Sequence, residues 1–280
     1  MGIFEAVLLG AVQGITEFLP VSSSGHLVLL QKILGISEPA LFFDTMVHVG
    51  TLIAVFVVLW KDIWRLLQRP IQRLTGFLIL STIPTVIIAL AFKDTIETAF
   101  QSGAFLGYAY LFTTAALLVS EALARRPGFS GNIDRGEERM NWIDALVIGL
   151  CQGVAILPAV SRSGLTLSGA LSRKLERDFA ARFSFLLSIP AILGALLFQV
   201  KDLLGARKAG EMENHIADLS GEGGLTAIIA GTFTAALVGF FAVRFMLTIV
   251  RKHSLRGFAV YTGVLGILIL LDQFVSHIFF

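Results

Sequence analysis

The sequence predicts an all-α polytopic membrane protein with an inverted-topology repeat, each half made of one re-entrant helical hairpin and three transmembrane helices. Three observations lead there. Of 280 residues, 55% are hydrophobic and only 15% charged, against about 25% charged in a soluble domain. The apolar residues come in long runs rather than in alternation, which fits helical spans and excludes a barrel. Finally, one polar stretch occurs twice. A shift of 139 positions lays Gly10, Gln13, Gly14, Val21, Ser22, Ser24 and Gly25 on Gly149, Gln152, Gly153, Val160, Ser161, Ser163 and Gly164.

Residues 3–34 cannot be one span. Pro20 and the Ser22–Gly25 run split them into two helical pieces of roughly 14 residues, each about 20 Å long. Hydrocarbon is about 30 Å thick, so neither piece crosses alone. A hairpin that enters and returns fits, because irregular backbone at membrane depth is tolerated where it is buried in protein or lines a cavity. Spans at 44–60, 74–92 and 104–124 complete a first half, residues 1–124. Residues 125–139, running from Arg125-Arg126-Pro127-Gly128 to Glu137-Glu138-Arg139, read as a cytoplasmic linker. The second half, 140–280, repeats the pattern with a hairpin at 142–172, broken at Pro158 and Ser161–Gly164, and spans at 183–200, 224–250 and 257–276.

Three spans per half is an odd number, so the halves are expected upside down relative to each other. The stretches 61–73, 125–139, 173–182 and 251–256 carry 15 of the 22 Lys and Arg, while 32–43, 93–103 and 201–223 carry 5. The positive-inside rule places the first group in the cytoplasm, and Trp60, Trp64 and Trp142 fall at that boundary, where indoles are favoured. The first hairpin then enters from outside and the second from inside. They meet near the midplane, where such repeats place binding sites. The first basic residue is Lys32, so no charged n-region and no cleavable signal peptide are expected. Cys151 is the only cysteine; it excludes an intrachain disulfide and reads as a small packed apolar residue. The net charge of +2 says little about partners.

Two basic residues remain. Arg244 lies near the cytoplasmic end of its span and can snorkel. Arg162 sits at the break of the second hairpin, and a charge at that depth points to function. Ser22-Ser23-Ser24-Gly25 and Ser161-Arg162-Ser163-Gly164 each follow a break and precede a helix, whose N-terminus suits an anion. Two such ends with Arg162 between them make a phosphate clamp, the planar fork holding two oxygens. Taken alone, the serines serve equally well as caps. Gly10-xxx-Gly14 and Gly149-xxx-Gly153 read as helix-packing motifs.

Gln13 and Glu17 are four apart, so they share one helical face. Together they can hold a divalent cation, Mg²⁺ or Ca²⁺, which takes oxygen ligands and would offset the charge of a diphosphate. A hydrogen bond between helices accounts for Gln13 nearly as well, since Gln152 repeats it with Ile156 where Glu17 stands. Ser23 as nucleophile with His26 as base or acid is chemically sensible. A phosphorylated His26 and a Glu17-held water are the rival assignments, and sequence does not choose between them. His48, inside a span, reads as hydrogen-bonded packing; His215, His253 and His277 fall in loops or near the C-terminus.

These residues resemble the undecaprenyl pyrophosphate phosphatase family of the bacitracin-resistance type, over essentially the whole chain. That family is marked by Glu/Gln-xxx-Glu running into a Ser-rich Gly-His segment, here Gln13 to Glu17 and then Ser22 to His26. Its second motif, Pro-Gly-x-Ser-Arg-Ser-Gly-x-Thr, stands here as Pro158-Ala159-Val160-Ser161-Arg162-Ser163-Gly164-Leu165-Thr166. The resemblance implies removal of the terminal phosphate from undecaprenyl pyrophosphate at the outer face of the bacterial inner membrane, with dependence on Mg²⁺ or Ca²⁺. Ser23, His26, Glu17 and Arg162 would be catalytic. Ser22, Ser24, Gly25, Ser161, Ser163, Gly164 and Thr166 would join Arg162 in binding phosphate. Two departures stand out: Ala159 replaces a glycine, and Gln13 replaces the glutamate of many members. The expected partners are a polyprenyl diphosphate lipid and membrane lipids, with no nucleic acid, and a homodimer is compatible with the sequence. A secondary transporter or flippase for a lipid phosphate or other anion is the rival reading, since inverted repeats with broken helices are typical of transporters. Ser23 with His26 beside an anion clamp favours hydrolysis. Lipid phosphatases of the phosphatidate type carry a histidine six residues after the Ser-Arg arginine, where this chain has Ser168.

Overall fold

A computed structural model describes residues 1–36, 41–92, 95, 96, 98, 104–124, 135–208 and 224–279. Helices α1 (Ile3–Thr16) and α2 (Ser23–Ile33) form the first hairpin. Then come α3 (Leu41–Val58), α4 (Trp60–Gln68), α5 (Arg73–Ala91) and α6 (Leu106–Ala124). The second hairpin is α7 (Trp142–Val154) with α8 (Arg162–Ser172), followed by α9 (Arg177–Lys208), α10 (Gly224–Lys252) and α11 (Arg256–Leu271). No strand occurs among the described residues. Five helices are long and apolar enough to cross a membrane, and α3 with α4 makes a sixth candidate bent by 78°. This is a multi-pass membrane protein.

Several boundaries differ from the sequence reading. Much of the 61–73 loop is the helix α4, which buries Ile63 and exposes Trp60 and Trp64, their rings stacked at 5.1 Å. Such a two-faced helix suits a membrane surface, and its charges disguise it as a loop. Helix α9 runs to Lys208, beyond the expected end at 200, and the last span closes in a π-turn, Asp272–Ser276. Linker residues 125–134, all of 209–223 with His215, and most of 93–103 lie outside the described residues.

The first helix of each hairpin packs on a helix from the other half of the chain, α1 on α10 and α7 on α5. Glycine makes this approach: a Cβ on Gly10 would overlap the Gly231 carbonyl, and one on Gly149 would overlap that of Ser81. One turn on, a Cβ on Gly14 would lie 2.9 Å from the Ala235 carbonyl oxygen, and one on Gly153 2.5 Å from the Ile88 side chain. Close backbones are how helices associate where lipid tails are as apolar as leucine. Residue numbers rise together along both pairs, so these helices run parallel. The α6/α11 pair has the opposite sense, with Gly107 against Gly266 and Leu270, and Thr114 Oγ1 2.8 Å from Thr262 Oγ1.

The main core gathers Phe18, Leu117, Met140, Leu167, Phe183, Phe185 and Met246, all fully buried, with Phe18 edge-on to Phe185 at 5.4 Å. Phe18 follows Glu17 directly and so anchors the first break. Ion pairs tie the helix ends flanked by the basic stretches. Asp144, fully buried, accepts from Arg135 Nη2 and Arg173 Nε, each at 2.8 Å. Glu121 accepts from Arg177 at 2.7 Å and from the Leu255 N–H at 2.9 Å. Arg244 instead lies exposed with its guanidinium 5.4 Å from the Phe240 ring, in keeping with snorkelling.

The close crossings give a direct expectation. Gly149→Leu should lose about 1–3 kcal/mol or more by overpacking, read as a lowered thermal midpoint in detergent. Gly194→Ala, where a Cβ meets nothing within 4 Å, should be neutral or slightly stabilising.

Candidate active site

The two hairpin breaks build matching caps. Ser22 Oγ accepts from the Gly25 N–H at 3.2 Å, and Ser161 Oγ from the Gly164 N–H at 3.0 Å. Each cap oxygen also lies near the hydroxyl two residues on, Ser24 at 3.5 Å and Ser163 at 3.3 Å. The tips are sewn to each other: Ser24 Oγ accepts from the Ala159 N–H at 3.3 Å, and Ser163 Oγ donates to the Leu19 carbonyl at 2.8 Å. Ala159 has φ +62°, a left-handed conformation that favours glycine. The alanine therefore keeps the turn that a glycine would make without strain.

Glu17 is the hub. Its side chain is 6% exposed and that of Arg162 15%. Arg162 Nη2, from the opposite hairpin, donates to Oε1 at 2.6 Å. Oε2 accepts from Ser23 Oγ at 2.6 Å and from Gln13 Nε2 at 3.0 Å. His48 Nε2 stands 3.6 Å from the same oxygen, too far for a hydrogen bond. Arg162 is held from behind by the Ser184 carbonyl at 3.4 Å. Thr166 Oγ1 lies 2.9 Å from the Arg162 carbonyl and 2.6 Å from Ser184 Oγ, which fixes α8 against α9.

His26 points elsewhere. Its Nδ1 is 2.6 Å from the Ser22 carbonyl and 2.9 Å from the Tyr110 hydroxyl, while Nε2 is 2.7 Å from the Tyr261 hydroxyl. A carbonyl only accepts, so Nδ1 carries the proton and Nε2 is the acceptor. Gly25 lets Tyr110 come this close, since a Cβ there would lie 2.6 Å from the tyrosine oxygen. Ser23 and His26 thus have separate partners. Instead of a Ser23–His26 pair, the structure shows a Ser23–Glu17 pair.

Likeness to known proteins decides the family. The family model described as Bacitracin resistance protein BacA matches residues 6–268. The chain belongs to the BacA family. It is 46% identical over 273 residues to a Carboxydothermus hydrogenoformans protein named undecaprenyl-diphosphatase, with 98% of each chain covered. Identity is 42% over 274 residues to undecaprenyl-diphosphatase 4 of Bacillus thuringiensis subsp. konkukian, again with 98% of each covered. It is 39% over 290 positions to an undecaprenyl-diphosphatase of Methanosphaera stadtmanae, covering 96% of this chain and 97% of that one.

In this BacA-family chain, sequence reasoning missed His48, Tyr110 and Tyr261. The chain has only 3 tyrosines, and two of them converge on one histidine from different spans, a signal carried by their rarity alone. Among the described residues no group of three or more His, Cys, Asp or Glu could hold a metal ion. Glu17 does, however, offer a carboxylate, and the buried Gln13 Oε1 has no hydrogen-bond partner. Oxygen donors of this kind fit a hard cation whose shell is completed by phosphate oxygens. Gln152 Oε1 is likewise unpartnered, so Gln13 alone does not single out the first hairpin. Glu17 does.

The hub yields a double-mutant expectation. Glu17→Leu strands the Arg162 guanidinium and should cost about 3–5 kcal/mol. Adding Arg162→Met should recover most of that loss, as read by unfolding in detergent.

Proposed function

We propose that this protein removes the terminal phosphate of undecaprenyl diphosphate, leaving undecaprenyl phosphate as a recycled lipid carrier for cell-wall synthesis. The observation that carries the reading is the Glu17 carboxylate, bonded at one oxygen to Arg162 from the opposite hairpin and at the other to the Ser23 hydroxyl. The names of the relatives support it.

The diphosphate enters between the capped N-termini of α2 and α8, whose dipoles and backbone N–H groups favour an anion. Arg162 turns its fork from Glu17 to the terminal phosphoryl oxygens, where charge is greatest in the transition state. Freed of its cation, Glu17 becomes a better proton acceptor. It takes the Ser23 proton across their short hydrogen bond, as Ser23 Oγ bonds to the terminal phosphorus and the bridging P–O bond breaks. Undecaprenyl phosphate leaves. Water then attacks that phosphorus and gives its proton to His26 Nε2, while the Ser23 O–P bond breaks and Glu17 returns its proton to the Ser23 oxygen, freeing phosphate. Glu17 and Gln13 are the residues that would hold a Mg²⁺ or Ca²⁺ ion, which when bound would offset part of the charge of the diphosphate.

The halves are inverted in this reading, which the parallel α1/α10 and α7/α5 pairs and the antiparallel α6/α11 pair support. The basic stretches then face the cytoplasm. The protein sits in the bacterial inner membrane, with the site open to the outer side and the prenyl tail among lipids. A homodimer is compatible with this arrangement.

Phosphate release from undecaprenyl diphosphate by purified protein is the test. Arg162→Lys should lose about 10²-fold or more, as a point charge lacks the fork. Ser23→Ala should abolish release while still binding the lipid diphosphate. Near-normal turnover in either variant overturns the assigned roles, and folded wild type that binds the lipid without releasing phosphate favours a transporter.

A further inference from the structure

We propose that Tyr261 relays the attacking water's proton to His26, so that its phenol hydroxyl takes part in the second chemical step. The inference deepens the phosphatase reading and rests on it, since that reading makes His26 Nε2 the base. Neither ring nitrogen of His26 is free. Nδ1 donates to the Ser22 carbonyl at 2.6 Å, with the Tyr110 hydroxyl 2.9 Å from the same nitrogen. Nε2 accepts from the Tyr261 hydroxyl at 2.7 Å. A water reaches Nε2 directly only if the tyrosine leaves, and the packing opposes that. The imidazole is stacked on the Tyr261 ring, 5.7 Å between centroids and 8° from parallel. The Tyr110 ring lies edge-on to it at 5.6 Å and 80°. Helices α6 and α11, which carry the two tyrosines, are joined by Thr114 and Thr262 at 2.8 Å. At the same crossing a Cβ on Gly266 would lie 3.0 Å from Tyr110 Cβ.

Of the two tyrosines only Tyr261 has an open side. Tyr110 is fully buried, whereas Tyr261 is 48% exposed. A phenol oxygen that donates its proton keeps lone pairs with which to accept another. Tyr261 can therefore take a proton from a water while giving its own to the imidazole. The step balances. The water oxygen bonds to the phosphorus held on Ser23, and the Ser23 O–P bond breaks. The water's proton passes to the Tyr261 oxygen as the Tyr261 proton passes to Nε2, so the tyrosine ends neutral beside an imidazolium. The Ser22 carbonyl on Nδ1–H steadies that positive ring. Glu17 and Ser23 handle the first step between themselves across 2.6 Å. The relay thus serves dephosphorylation alone, which separates it from a packing role.

The test follows a single turnover of undecaprenyl diphosphate by the full chain in detergent, with rapid quenching and mass spectrometry of Ser23. Tyr261→Phe should form undecaprenyl phosphate at the wild-type rate but release phosphate about 10-fold or more slowly, so that phosphoryl-Ser23 accumulates. Tyr108→Phe, at the third tyrosine, should change neither rate. Phosphate release in mixtures of H₂O and D₂O should show two moving protons in wild type and one in Tyr261→Phe. Wild-type phosphate release by Tyr261→Phe overturns the relay, as does equal slowing of both steps or a one-proton dependence in wild type. Phosphate release with no phosphoryl-Ser23 defeats the Ser23 step instead, and the two-proton dependence of release then still supports the relay. Folded wild type that releases no phosphate defeats the phosphatase reading and the relay with it.

Discussion

A single ion pair in a low-dielectric setting organises this molecule. Glu17 and Arg162 come from different hairpins, 145 residues apart in sequence, and each would be costly in the membrane without the other. Their pairing sets the mutual position of the two breaks. Ser23 and Gln13 then share the second carboxylate oxygen, while the caps at Ser22 and Ser161 aim two helix N-termini at the space beside it. In the proposed reaction a bound diphosphate competes with Glu17 for the arginine, so that the resting pair holds the acid in check until an anion arrives.

What lets the pair form is the absence of side chains elsewhere. Gly10, Gly14 and Gly149 let α1 and α7 lie backbone to backbone on helices of the opposite half. Ser24 and Ser163 then tie tip to tip with one hydrogen bond in each direction. Phe18 fills the core directly behind Glu17. Apolar packing and the polar cluster are thus adjacent residues of one turn, and moving either moves the other.

The all-helical membrane fold and the two breaks were legible because Pro20, Pro158 and the repeated Ser-x-x-Gly caps interrupt otherwise unbroken apolar sequence. Arg162 and Glu17 were legible as charges without an aqueous outlet. Their partnership was not, since no local spacing links positions in different hairpins. The Ser23–His26 expectation rested on one helical turn of spacing. It missed that Ser22, at φ +70°, swings the backbone so that Ser23 reaches back to Glu17 while His26 meets Tyr110 and Tyr261. His48 is hydrogen-bonded within its span as the sequence suggested, but its approach to Glu17 at 3.6 Å could not be read from positions 31 apart. Helix α4 was hidden because its charges resemble a loop's.

The exchange of packing partners between the halves also bears on biogenesis. Gly10 rests against Gly231, which emerges from the ribosome roughly 220 residues later, on the order of 10–45 s at about 5–20 residues per second. Until then the first hairpin has a short apolar helix, an acidic residue and three serines with no permanent seat. It must wait at the bilayer surface, inside the insertion machinery, or against a temporary neighbour. Membrane insertion of this chain is therefore a two-stage affair, in which the earliest segment made is among the last to settle.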